Sequence, residues 1–213
     1  ETDVFVRRAA PNSWWSRFQN YIDDKYPGCT VVNNGCGGAF SFQLKNHLPS
    51  VFQEDKDDII FLFLGANDRK RVNGMDELRS NLTWMIRYFK GKNKPVAVFT
   101  PNPSTAENES YKNRLYHLED VANTIIDVAE AEDILIVDNY NYIMDYLLFT
   151  GKKIDDIIFG KGCRNDGLHP SDKVQEMIYH NLMRVLGFSV KTDGAVWLSL
   201  IHISEPTRQE AIS

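Results

Sequence analysis

Asp58-Ile59-Ile60-Phe61-Leu62-Phe63-Leu64-Gly65-Ala66-Asn67-Asp68 decides the fold of this chain. A carboxylate opens the stretch, an unbroken apolar run follows, and a Gly-Ala-Asn-Asp turn closes it. A run that is apolar at every position has no solvent face, so both sides must be covered. That is the pattern of a central strand in a parallel sheet. The turn delivers a side-chain amide and a carboxylate at the carboxyl end of the strand, where open α/β sheets form their sites.

Downstream of this strand, Leu78, Leu82, Met85 and Ile86 recur at helical spacing and predict an amphipathic helix from about Met75 to Phe89. Pro95 to Phe99 is the next strand, ended by Pro101 and Pro103, and the polar loop to about Ser110 is expected to be mobile. A long helix is predicted over Lys112 to Ala131, and a buried strand over Asp133 to Val137 leads into Asp138. A helix near Tyr142 to Phe149, a long loop and a last helix over Ser171 to Leu186 complete the series.

Upstream, Ser13 can cap a helix that Pro27-Gly28 stops. Thr30-Val31-Val32-Asn33 suggests a short buried strand. It runs into Asn34-Gly35-Cys36-Gly37-Gly38, a turn that needs positive φ or close backbone approach. A short helix is expected over Ser41 to Leu48. Strand and helix alternate throughout, which argues a three-layer α/β domain on a parallel sheet. No repeat or linker appears, so residues 1–197 are taken as one domain.

Bulk composition narrows the function. The 213 residues carry a net charge of −5, and Arg69-Lys70-Arg71 is too short a basic run to suggest nucleic-acid binding. No apolar run is long enough for a membrane span. Cys29, Cys36 and Cys163 lack the paired spacing of a zinc site and suggest idle or packing thiols. No leader segment is recognisable, and Glu1 at the start leaves a mature, trimmed or truncated beginning open. Asn81-Leu82-Thr83 and Asn108-Glu109-Ser110 match the glycosylation pattern, which is frequent by chance. Leu198 to Arg208 resembles the translation of a common DNA-sequencing adapter, so residues 198–213 are set aside as a non-native tail, His202 with them.

The chemistry lies in the turns. Asp166-Gly167-Leu168-His169-Pro170 puts a carboxylate three residues ahead of an imidazole, where one can orient the other. With Asn67 it supplies three of the parts that acyl transfer needs: an orienting carboxylate, a base and an amide donor. The fourth, an activated hydroxyl, is not obvious. His47, His117 and His180 lack such a context, and Cys36 suits a small packing residue better than a thiolate nucleophile. Trp14, Trp15, Tyr140 and Tyr142 could line a sugar site, although core packing explains most of them.

Together these residues resemble the SGNH (GDSL-type) hydrolases, a family of esterases and acylhydrolases on a flavodoxin-like sheet of order 2-1-3-4-5. The resemblance runs from about Ser13 to Leu186. It rests on three blocks in order: Asn33 to Gly38, Gly65-Ala66-Asn67-Asp68, and Asp166-Gly167-Leu168-His169. It implies that the Gly38 N–H and the Asn67 amide form an oxyanion hole, that His169 is the base and that Asp166 orients it. It implies no metal or organic cofactor, and a small-molecule or carbohydrate ester as substrate.

One block is absent: no Gly-Asp-Ser occurs in the chain. The family places it at the end of the first strand, so the serine is expected upstream of Glu1 and the first strand is expected to be missing. The rival is a non-catalytic ligand- or carbohydrate-binding relative whose first strand is Asp3 to Val6. Without a first strand, Thr30 to Asn33 loses its partner and the Phe61 strand gains an open edge. The chain as written is then expected to fold poorly and hydrolyse nothing. A phosphate-loop reading of Gly35 to Gly38 lacks both G-x-G-x-x-G and the lysine.

Overall fold

A computed structural model describes residues 11–188. Its centre is a parallel sheet of β1 (Ile60–Phe63), β2 (Val96–Phe99) and β3 (Leu135–Val137), in that order. Ile60 pairs with Val96, and Ala97 with Leu135. The connections are helical: α3 (Gly74–Lys90) follows β1, and α4 (Ala106–Glu109) and α5 (Leu118–Ala131) follow β2. After β3 come α6 (Asn139–Thr150), α7 (Asp155–Ile158) and α8 (Asp172–Val185). Before β1 stand α1 (Trp14–Lys25) and α2 (Ser41–Val51).

Strand alternation builds the three layers. Leu62, Val96 and Val98 face a core formed with Leu78, Leu82 and Ile86 of α3 and Val121 and Ile125 of α5. The opposite face carries Phe61, Phe99 and Val137 against Phe18 of α1 and Leu182 and Met183 of α8. This second face is aromatic. Trp14 lies 5.0 Å from Phe99, and Phe61 meets the same ring edge-on at 5.7 Å. Trp14 is therefore a core residue, and Tyr142 packs beside the cluster that joins α6, α7 and α8.

Several boundaries differ from the pattern-based expectation. Ser13 does cap α1, its Oγ accepting from the Ser16 N–H at 3.3 Å. Thr30 to Asn33 forms no strand. The Val31 N–H donates to Gln19 Oε1 at 2.6 Å instead of to a neighbouring strand, and Val32 is 56% exposed. β1 has no neighbour on its other side among the described residues, which is the open edge expected in the absence of a first strand. The helix expected from Lys112 begins only at Leu118, because the main chain first folds back so that the Leu115 and Tyr116 N–H groups reach the Arg69 carbonyl. The loop after β2 is not a free polar loop: Thr100, Asn102, Thr105 and Asn108 are all buried. Residues 3–6 and the tail from 198 lie outside the described residues.

Candidate active site

The Gly65–Asp68 turn leaves β1 at its carboxyl end, and Thr100–Thr105 leave β2 at the same end. Since Phe63 pairs with Phe99 in parallel register, both segments emerge on one edge of the sheet. Gly65 takes φ +101° where the turn begins. The next residues form a single 3-10 turn, Asp68–Lys70.

Asp68 is fully buried and faces inward. Its carboxylate accepts from the Ser41 N–H at 3.0 Å and from Ser41 Oγ at 2.5 Å, which ties the start of α2 to this turn. Burial raises its pKa, and the Ser41 hydrogen bonds oppose that rise. Asn67 remains partly open. Its Nδ2 donates to the Ala39 carbonyl at 3.3 Å and its Oδ1 accepts from Lys70 Nζ at 2.7 Å. An ammonium can only donate, so this contact sets the amide's orientation and turns Nδ2 toward the glycine turn. Gly38, next to Ala39, has φ +80° and is exposed. Gly38 and Asn67 are thus brought together.

The second half is the 166–169 turn. Asp166 Oδ1 accepts from the N–H groups of Leu168 at 3.0 Å and His169 at 2.9 Å, while Oδ2 accepts from His169 Nδ1 at 2.5 Å. Burial pushes the Asp166 pKa up. The two N–H donors and the His169 ring outweigh it and bring the value down to about 2. The carboxylate is therefore ionised at neutral pH and fixes the proton on Nδ1. That leaves Nε2 as the basic nitrogen, and no hydrogen bond reaches it among the described residues. The His169 side chain is 44% exposed.

Three consecutive carbonyls of this turn are held from the segment after β2. Asn108 Nδ2 donates to Asp166 O at 2.8 Å, the Thr105 N–H to Gly167 O at 2.9 Å, and Asn102 Nδ2 to Leu168 O at 3.0 Å. Pattern reading missed all three, since Asn, Thr and Pro in such a stretch signal only a loop. Asn108 is buried, as is Asn81, so neither glycosylation tripeptide offers an accessible amide.

Other candidates fall away. Asp138 is the N-cap of α6 and accepts from Thr100 Oγ1 at 2.9 Å. The three cysteines are unpaired: Cys29 is exposed, and Cys36 Sγ rests on the Asn34 carbonyl at 3.8 Å. Arg69 is buried and Arg71 grips Glu77 through two hydrogen bonds, so the basic triplet is no exposed patch. Among the described residues no cluster of His, Cys, Asp or Glu could hold a metal ion, and no helix is long and apolar enough to cross a membrane.

The fold has solved counterparts. An acetylxylan esterase from Geobacillus stearothermophilus superposes with a TM-score of 0.68 at 20% identity, covering 84% of both chains. Another acetyl xylan esterase gives 0.68 at 17% identity, covering 84% of this chain and 92% of its own. An alpha/beta hydrolase from the metagenome of Lake Arreo, Spain, gives 0.66 at 17%, covering 83% and 82%. No similar sequence is found among the curated proteins. Residues 3–177 match the GDSL-like lipase/acylhydrolase family across the turns described above, and the chain belongs to that family.

Proposed function

We propose that this protein is the body of an SGNH-type serine esterase in which His169 and Asp166 form the base pair and Gly38 and Asn67 the oxyanion hole. The observation that carries the reading is the His169 ring, fixed through Nδ1 by an ionised Asp166 with Nε2 left open. The Asn67 amide, held against the glycine turn at Ala39, supports it.

In the proposed reaction a serine hydroxyl attacks the ester carbonyl and its proton passes to His169 Nε2. Negative charge gathers on the former carbonyl oxygen, where the Gly38 N–H and Asn67 Nδ2 donate. Collapse of the tetrahedral species expels the alcohol, which takes the proton from Nε2. Water then enters by the same path and releases the acid. Asp166 stays ionised throughout and stabilises the imidazolium.

The serine in this reading lies in a Gly-Asp-Ser block outside the 213 residues. In the Geobacillus stearothermophilus esterase, alanine replacements of a serine, of an aspartate and of a histidine three positions later are described as catalytic mutants. The Asp166–His169 spacing parallels the last two. That enzyme's substrate class favours the acetyl ester of a carbohydrate here.

The test compares the 213-residue chain with the polypeptide encoded when the upstream DNA is included. The longer form should take up a fluorophosphonate at one serine and hydrolyse acetylated xylo-oligosaccharides in preference to long-chain esters. The 213-residue chain should do neither. Robust turnover by the short chain would refute the missing serine. A longer form that binds sugar but neither labels nor turns over would establish the non-catalytic alternative.

A further inference from the structure

Asn102, Thr105 and Asn108 are spaced by three and reach carbonyls that are spaced by one, in reverse order: 168, 167 and 166. The segment thus lies along the turn and grips each peptide unit between Asp166 and His169. Each of the three residues is itself buried. Gly167 takes φ +70°, and a Cβ there would fall 2.2 Å from Thr105 Oγ1, so the two segments touch without spare room.

Asn108 does not stand alone. Its Oδ1 accepts from Arg69 Nη2 at 2.6 Å, and Arg69 Nη1 meets Glu109 Oε1 at 2.7 Å. Arg69 is completely buried, and its Nε has no partner among the described residues. A guanidinium offers only donors, so it can face only the oxygen of the Asn108 amide. That leaves Nδ2 pointing at the Asp166 carbonyl. Arg69 comes two residues after Asn67, so the same short turn that presents the amide donor also sets the carboxylate's peptide. The Asp166 carbonyl lies on the residue whose carboxylate orients His169, and a shift of its peptide moves both acceptor oxygens.

From this geometry we propose that Arg69 and Asn108 are positioning residues: Arg69 sets the Asn108 amide, which holds the Asp166 peptide and thereby aims the His169–Asp166 pair. The idea rests on the proposed function only in calling that pair catalytic. Its buried polar relay is the kind of connected network in which one deletion disturbs the rest.

The experiment reads the Asp166 carboxyl directly, by ¹³C NMR titration of the whole chain, and needs no turnover. The Asp166 signal is assigned with Asp166→Asn. Asn108→Ala should raise the Asp166 midpoint by about one unit or more, because the donors to its carboxylate lose their alignment. Arg69→Met should raise it too, yet add nothing in an Asn108→Ala background. Leu182→Val, in the core cluster on the other face of the sheet, controls for general loss of stability and should leave the midpoint in place. Asn108→Ser and Asn102→Ala are milder versions, read in the same way if the first variants unfold. An unmoved midpoint in any folded Asn108 variant, or additive effects of the two substitutions, would overturn the proposal. Either result would leave the esterase reading untouched.

Discussion

Gly74→Ala should destabilise the protein, although the rule for exposed helices points the other way. Gly74 is the first residue of α3, and alanine there would normally gain up to about 1 kcal/mol through helix propensity and a stiffer unfolded chain. Here a Cβ would sit 1.9 Å from the Asp68 carbonyl oxygen. Relief to 3.0 Å requires a displacement of about 1.1 Å, and the atom struck is main chain between two fully buried side chains, Asp68 and Arg69. That carbonyl also accepts from the Arg71 N–H at 3.0 Å, a bond that such a shift breaks. Overpacking costs about 1–3 kcal/mol and the hydrogen bond about 1 kcal/mol, so after the propensity gain the net loss is about 1–3 kcal/mol. With a urea m-value of about 2 kcal/mol/M, the midpoint should fall by about 0.5–1.5 M. Gly37→Ala is the control, since nothing lies within 4 Å of its added methyl group. Urea titrations at low temperature, followed by tryptophan fluorescence, make the comparison. A Gly74→Ala protein at least as stable as the parent would show that the turn gives way freely, and the argument that it rigidly presents Asn67 would fail.

Asp68→Ala strands the Ser41 N–H at the buried start of α2 and should cost about 1–3 kcal/mol, seen as a lowered thermal midpoint with α2 amides exchanging faster. The Asp166 carboxylate titrates near 2 in the fold against an ordinary 3.8. Its contribution is therefore complete above pH 3.8 and is lost as pH falls toward 2. With a side chain 37% exposed, solvent screening reduces it to about 1 kcal/mol, and Asp166→Asn should flatten the stability profile in that window. In the serine-bearing form, Asn67→Ala should lower kcat by about 10²–10³ with little change in KM. A pure KM effect there would assign Asn67 to ground-state binding.

The sheet was legible because Ile60–Phe63, Val96–Phe99 and Leu135–Val137 lie in apolar runs bounded by polar, glycine or proline residues, although only Val96–Phe99 is buried throughout and Phe63 and Leu135 are exposed. The contact between Asp166 and His169 was legible because both residues lie within one four-residue turn. Thr30–Asn33 was misjudged because strand formation depends on a neighbour, which composition does not supply; the Gln19 side chain satisfies Val31 instead. The clamp was invisible because Asn102, Thr105 and Asn108 act on main-chain carbonyls some 60 residues away. Nothing local distinguishes a polar residue that will be buried against a distant peptide from one that will meet water. Arg69 was concealed for the same reason, as one member of a basic triplet.

The side-by-side packing of α1 and α8 bears on how the protein is made. The Trp14 N–H donates to Gln175 Oε1, and Asn12 to Asp172, across most of the polypeptide. Val96–Phe99 leaves the ribosome long before Leu182 and Met183 exist to shield it. At about 5–20 residues per second, the phenylalanine-rich side of the nascent sheet waits roughly 5–15 s for its last cover. During that interval it is a natural client for chaperones. Slow synthesis or a nick ahead of α8 should send the product into inclusion bodies even where every strand is intact.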